Sequence, residues 1–152
     1  MILSSTAHRF AQNGINFDDI HQKKNFDTNE AYGQSKLANI YFARELANRL
    51  KNTNINTYVL HPGVVMTELV RHMQENMNVV QRTVALPLAK FFLKTPFHGA
   101  QTTLFCTLDD SIANDSGRYY TDCNYGKFKS KWATDDNAAK RLWELSEKLV
   151  KL

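Results

Sequence analysis

This chain encodes an α/β architecture built on parallel strands, and three stretches argue for it. Residues 1–3 are apolar, residues 55–60 are rich in β-branched and aromatic side chains, and residues 31–50 between them carry apolar side chains at helical spacing. A strand, a helix and a strand in that order predict a right-handed parallel crossover.

The 152 residues, 43% of them hydrophobic, with six glycines and three prolines, suffice for one core and one domain over 1–152. Nineteen basic residues against fifteen acidic give a net charge of +4, but they are scattered, with no basic stripe interleaved with aromatics. A nucleic-acid surface is therefore not expected, and the phosphates of a cofactor account for the charge as well. Cys106 and Cys123 lack metal-ligand spacing, so no metal site is expected, and they read as thiols of a reducing, cytoplasmic compartment. Polar residues follow Met1-Ile2-Leu3 at once, and no run approaches the ~18 apolar residues of a membrane span.

The first strand gives way to Ser4-Ser5-Thr6. Ligands of open α/β sheets collect at the carboxyl ends of strands, which places Ser4 or Ser5 to donate a hydrogen bond to a substrate oxygen. A serine there also serves simply to cap backbone. Residues 9–30 scatter Ile15, Phe17, Ile20 and Phe26 among Asn13-Gly14, Asp18-Asp19 and Asp27-Thr28-Asn29, an irregular connection of a length that usually has a task. It ends in helix-start chemistry at Thr28-Asn29-Glu30.

The helix that follows carries Tyr32 and Lys36 one turn apart and on one face. A phenol ordinarily loses its proton near pH 10, but an ammonium fixed about 4 Å away favours phenolate by up to ~4 kcal/mol at an effective dielectric of 20. The same pairing lets the lysine bind a ribose hydroxyl while the tyrosine faces a carbonyl or alcohol, as proton exchange during hydride transfer requires. An ordinary amphipathic helix has the same spacing, so the neighbours must decide. Ile40, Ala43, Leu46, Ala47 and Leu50 share the arc of Tyr32, Lys36 and Asn39. Leu37 and Tyr41 fall on the opposite side among Arg44, Glu45 and Asn48, where a partner subunit would cover them; a homodimer through the helix over 32–50 is one expectation.

The second strand runs into His61-Pro62-Gly63-Val64-Val65-Met66-Thr67. Proline and glycine force a turn, glycine lets backbone approach a flat ring, and Thr67 opens another helical pattern whose hydroxyl and free N–H groups can meet a cofactor amide or phosphate. A plain turn with an N-cap would look alike. In residues 70–98, Phe91-Phe92-Leu93 suits the core, a lipophilic pocket or a membrane surface. Residues 99–108 resume helical spacing, 109–116 are a polar loop, and Gly117-Arg118-Tyr119-Tyr120 read as a final edge strand. Thr134-Asp135-Asp136-Asn137 cap a last helix striped with Leu142, Leu145, Leu149 and Leu152.

Five motifs in this order carry a resemblance: Leu3-Ser4-Ser5-Thr6-Ala7-His8, Tyr32-Gly33-Gln34-Ser35-Lys36-Leu37-Ala38-Asn39, His61-Pro62-Gly63-Val64-Val65-Met66-Thr67-Glu68-Leu69, Gly99-Ala100-Gln101-Thr102 and Ser116-Gly117-Arg118-Tyr119-Tyr120-Thr121-Asp122-Cys123. Over nearly its whole length the chain resembles the carboxyl-terminal half of a short-chain dehydrogenase/reductase and is most similar to the retinol dehydrogenase branch. The resemblance implies half of a doubly wound Rossmann-type parallel sheet, lacking the N-terminal glycine-rich half. It implies Ser5 polarising the substrate oxygen, Tyr32 exchanging the proton, and Lys36 lowering the tyrosine pKa and holding the nicotinamide ribose. Pro62, Gly63, Val65 and Thr67 would contact the nicotinamide end of NADP or NAD, with NADP favoured. The substrate would be a lipophilic alcohol or carbonyl compound, retinoid-, steroid- or aldehyde-like, with residues 69–98 as its cover. Association with the endoplasmic reticulum membrane is implied only for a full-length form.

The sequence has no G-x-G-x-x-G and no preceding helix to supply the asparagine of the family's catalytic tetrad. The expectation is a truncated chain with little activity alone. The alternative is a non-catalytic interaction or dimerisation fragment, exposing an unpaired sheet edge and a helix face with Leu37 and Tyr41. An epimerase or dehydratase of the extended branch shares Tyr-x-x-x-Lys but not the 62–69 pattern.

Overall fold

A computed structural model describes residues 1–66 and 93–151. Among them, β1 (Ile2–Leu3), β2 (Val59–His61), β3 (Tyr119–Thr121) and β4 (Asn124–Tyr125) form one sheet in that order. β1, β2 and β3 are mutually parallel, with Leu3 opposite Leu60 and Leu60 opposite Tyr120, and β4 returns antiparallel to β3. The carboxyl ends of the three parallel strands therefore share one edge. β3 is not the outer strand expected from its sequence; the two-residue β4 takes that place, because the left-handed Asp122 and Cys123 turn the chain back on itself.

α1 (Thr28–Arg49) begins three residues before the apolar periodicity does, where the Asp27 carboxylate accepts from the Glu30 N–H at 2.7 Å. α2 (Pro96–Leu108) starts at a capping Thr95 followed by proline, which has no N–H to leave unsatisfied. α3 (Asp136–Val150) is capped by Asp135, which accepts from the Ala138 N–H at 2.9 Å.

Alternation along the strands sorts the core into two clusters, one on each face of the sheet. Val59 and Tyr119 join Leu37, Ile40, Tyr41 and Ala43 of α1 and Ala139 of α3, while Tyr58, Leu60 and Tyr120 join Cys106 of α2 and Ile112. Helices thus cover both faces, as parallel sheets require. Both thiols are free, Cys106 buried and Cys123 half-buried.

The helix face expected to await a partner subunit is occupied from within. Leu37 and Tyr41 are both 0% exposed, and the Tyr41 hydroxyl donates to the Trp132 carbonyl at 2.8 Å. The turn at Lys131–Thr134 and α3 fold back over that side, so α1 is buried on two faces rather than one, and the ground for a dimer through Leu37 and Tyr41 is removed. α3 makes this contact through Ala138, Ala139 and Leu142; Leu149 of the expected leucine stripe is exposed.

The long connection before α1 is tied down by short 3₁₀ turns at Thr6–Phe10 and Phe17–Asp19. Buried His8 ties the start of this connection to the segment before α3: Nε2 accepts from the Lys129 N–H at 2.8 Å, which leaves Nδ1 to donate to the Ser5 carbonyl at 2.6 Å. The bond from Lys129 needs the neutral ring, and burial holds its pKa below the ordinary imidazole value against the opposing pull of the Ser5 bond.

Candidate functional site

Two hydrogen bonds place the start of α1 against the carboxyl end of β1. The buried Ser4 hydroxyl donates to the Lys36 carbonyl at 2.8 Å, and the Asn39 side-chain amide donates to the Leu3 carbonyl at 2.9 Å. Between Ser4 and Ser5, then, it is Ser4 that is spent on structure. The Ser5 oxygen accepts from the Ala7 N–H at 3.2 Å to cap the 3₁₀ turn, which leaves its own O–H to donate elsewhere.

Gly33 permits the close approach. A Cβ there would lie 2.7 Å from the Ala11 backbone nitrogen and 2.8 Å from Phe10 Cβ, so α1 rests directly on the turn that follows Ser5. Lys36 Nζ sits over the Tyr32 ring, 5.2 Å from its centroid, and the ring is 45% exposed at the open edge. The structure thus gathers Ser5, Tyr32 and Lys36 at the same end of the sheet.

The Ser4 N–H donates to the Leu60 carbonyl at 2.7 Å, so the turn after β2 emerges beside this group. Gly63 has φ +91°, a conformation that side chains resist. Val64 is exposed and Pro62 and Val65 half-buried. Thr67, the segment 69–92 of the expected cover, and Phe91 and Phe92 lie outside the described residues.

Beneath the turn, His61 is buried with no partner for Nδ1 among the described residues. Burial holds its pKa below the ordinary value; the Asp122 carboxylate opposes this, while Lys94 and His8 add to it. Lys94 and Asp122 form an ion pair beside it. The sequence marks Asp122 only as part of the motif over 116–123 and Lys94 only within the segment over 69–98, since a lysine and an aspartate far apart carry no spacing signal of pairing.

Comparison with known proteins now decides the family. The sequence profile described as short chain dehydrogenase matches residues 11–78. Retinol dehydrogenase 14 of Mus musculus is 37% identical over 150 residues, covering 99% of this chain and 43% of that protein. Retinol dehydrogenase 12 of Homo sapiens is 40% identical over 148 residues, covering 97% and 44%.

The chain belongs to the short-chain dehydrogenase family.

A bovine dehydrogenase/reductase of the same family, member 13, is 46% identical over 123 residues, covering 80% of this chain and 31% of that protein. A crystal structure of an uncharacterised protein from Mycobacterium paratuberculosis superposes with a TM-score of 0.65 at 28% identity, over 98% of this chain and 48% of that one. The chain spans less than half the length of the retinol dehydrogenases that it matches. Among the described residues no helix is long and apolar enough to cross a membrane.

The family implies NAD or NADP, and the groups at the open edge suit one end of such a molecule. Two hydroxyls, one ammonium and a half-open turn over 62–65, with Val64 exposed, match the hydrogen-bonding and stacking needs of a nicotinamide riboside. A phosphate cradle is a different matter: the six glycines, at 14, 33, 63, 99, 117 and 126, form no G-x-G-x-x-G.

Proposed function

We propose that this chain is the carboxyl-terminal, reacting half of a short-chain dehydrogenase that moves a hydride between NADP(H) and a lipophilic alcohol or carbonyl compound. The observation that carries the reading is the convergence of Ser5, Tyr32 and Lys36 on the edge where the turn over 62–65 emerges, fixed by the Ser4–Lys36 and Asn39–Leu3 hydrogen bonds. The names of the retinol dehydrogenases favour a retinoid-like substrate.

In this reading the nicotinamide supplies or accepts the hydride when bound. The Ser5 O–H donates to the substrate oxygen and holds it toward Tyr32. The Tyr32 hydroxyl gives a proton to that oxygen in reduction and takes one from it in oxidation. The Lys36 ammonium offsets the charge that develops on the phenol oxygen and donates to the ribose hydroxyls. Pro62, Gly63 and Val65 form the wall on which the nicotinamide end rests, and Thr67 is assigned to it from its place in the motif alone. Without a glycine-rich phosphate turn in these residues, turnover by the chain alone is low.

The experiment is NADPH-dependent reduction of retinaldehyde by a polypeptide that joins this chain to a glycine-rich nucleotide-binding half. Tyr32→Phe should lower kcat by a factor of at least ~100, within the range of a lost general acid, with retinaldehyde KM little changed. Equal activity in Tyr32→Phe would overturn the assignment.

A second reading, a non-catalytic interaction fragment, is favoured by one observation. β1 pairs with β2 alone among the described residues, and Met1 and Leu3 are each 53% exposed along it. Sedimentation of the isolated chain separates the two: a monomer over micromolar concentrations removes self-association through that edge.

A further inference from the structure

The turn over 62–66 is held from outside its own strand. Its backbone pairs with the residues just before α2: the Lys94 N–H donates to the Val64 carbonyl at 2.8 Å, and the Met66 N–H donates to the Lys94 carbonyl at 2.9 Å. The Lys94 side chain then crosses the bare face of Gly63, where a Cβ would meet its Cδ at 2.8 Å, and its ammonium reaches the Asp122 carboxylate. Asp122 is itself fixed, in a left-handed conformation with φ +51° at the end of β3. Its carboxylate also accepts from the Thr121 hydroxyl at 3.2 Å, its carbonyl accepts from the Asn124 amide at 2.8 Å, and the next residue's N–H donates to the fully buried Thr102 hydroxyl at 3.3 Å. Lys94 is thus bonded to the turn by backbone and to the β3–β4 corner by charge. From the α2 side, Val65 packs into the space a side chain at Gly99 would need, 2.5 Å from its Cγ2.

We infer that Lys94 and Asp122 are positioning residues that hold the turn over 62–66 at the height the nicotinamide end requires. The inference rests on the reading of that turn as the cofactor's neighbour. Geometry supplies the reason for a charge here: a glycine at positive φ leaves the turn freer than a side chain would, and the Lys94 stem lies where a Cβ at Gly63 would stand while its ion pair ties the turn to the sheet. The Lys94 hydrogen bond also holds the Asp122 carboxyl below its usual range, so the pair survives further into acid than an unpaired carboxylate would stay charged.

The test is amide hydrogen exchange on the 152-residue chain, read at Met66 and Lys94, with Val59, which donates to the Arg118 carbonyl at 3.1 Å, as the internal reference. Lys94→Met keeps a stem over Gly63 and removes the charge. It should speed exchange at Met66 and Lys94 by about fivefold or more while leaving Val59 within about twofold, and Lys94→Arg should restore both. Asp122→Asn should reproduce the Lys94→Met pattern. Unchanged exchange at Met66 in Lys94→Met, or equal acceleration at Val59, would overturn the inference. A second arm titrates the chain with reduced nicotinamide mononucleotide: Kd should weaken about fivefold in Lys94→Met and recover in Lys94→Arg. Looser exchange with an unchanged Kd would also overturn it. Absence of binding by the unsubstituted chain counts against the cofactor reading instead, and the exchange arm then decides the role of Lys94 and Asp122.

Discussion

The Ser4 hydroxyl donates to the Lys36 carbonyl at 2.8 Å, joining the buried residue that follows β1 to the helical turn that carries the candidate proton-exchange pair. That bond lies between a strand end and a helix, and it sets where Ser5 stands relative to Tyr32. Ser4→Ala removes it without altering strand pairing, since the Ser4 N–H still donates to the Leu60 carbonyl. A loss of about 1 kcal/mol is expected, read from the urea midpoint at unchanged slope. An unchanged midpoint would mean that the bond contributes nothing to the fit of α1 on β1.

Gly33→Ala tests which of two opposed effects wins. Alanine improves helix propensity by about 1 kcal/mol over glycine. Its Cβ, however, would sit 2.7 Å from a backbone nitrogen and 2.9 Å from a backbone carbonyl carbon of the Phe10–Ala11 turn, and backbone cannot rotate away. Overpacking of this kind costs about 1–3 kcal/mol. Net destabilisation of the chain is therefore expected in thermal unfolding, and a stabilised Gly33→Ala variant would show that α1 does not rest on that turn.

What could be read in advance follows from what leaves a local signature. The order strand, helix, strand was legible because Ile2-Leu3, the spacing from Ile40 to Ala47 and the β-branched run before His61 each obey a local period. Tyr32, Lys36, Ser5 and Gly63 were legible as candidates because their motifs are local too. Leu37 and Tyr41 were misplaced because helical periodicity reveals one buried stripe, whereas α1 is clamped between the sheet and α3, a contact nearly a hundred residues away along the chain that only tertiary packing supplies. The pairing of Lys94 with Asp122 was invisible for the same reason. Gly99 was noticed only as part of a motif, and its cause, contact with Val65, is three-dimensional.

Acid should weaken the fold through two buried imidazoles. His8 and His61 have folded pKa values below the ordinary 6.5, burial being the first cause for each. Above pH 6.5 both are neutral in either state and their contribution is complete. As pH falls below it, the unfolded chain takes up protons that the folded chain resists, so stability is lost toward the depressed folded values. The melting temperature should fall between pH 7.5 and 5.5, roughly one unit either side of the ordinary value. His8→Asn should show a smaller fall; an equal fall would assign the acid sensitivity elsewhere.

Tyr41 and Tyr119 carry the same hydroxyl in the same core with opposite consequences. Both are almost fully buried, and burial first pushes each pKa up to about 12. Unfolded phenols ionise near 10, so this contribution is complete below pH 10 and is lost as pH rises through the folded values. Alkaline absorbance titration should accordingly show these two rings ionising only as the fold is lost. Their hydrogen bonding differs: Tyr41 donates to the Trp132 carbonyl at 2.8 Å, whereas the Tyr119 hydroxyl has no partner among the described residues. Removing a made bond costs about 1 kcal/mol, while removing an unmade one relieves a desolvated polar group. In urea unfolding, Tyr41→Phe should therefore be destabilised by roughly that amount and Tyr119→Phe should be neutral or stabilised. The reverse order would show that α3 and the turn before it are not held on α1 through Tyr41.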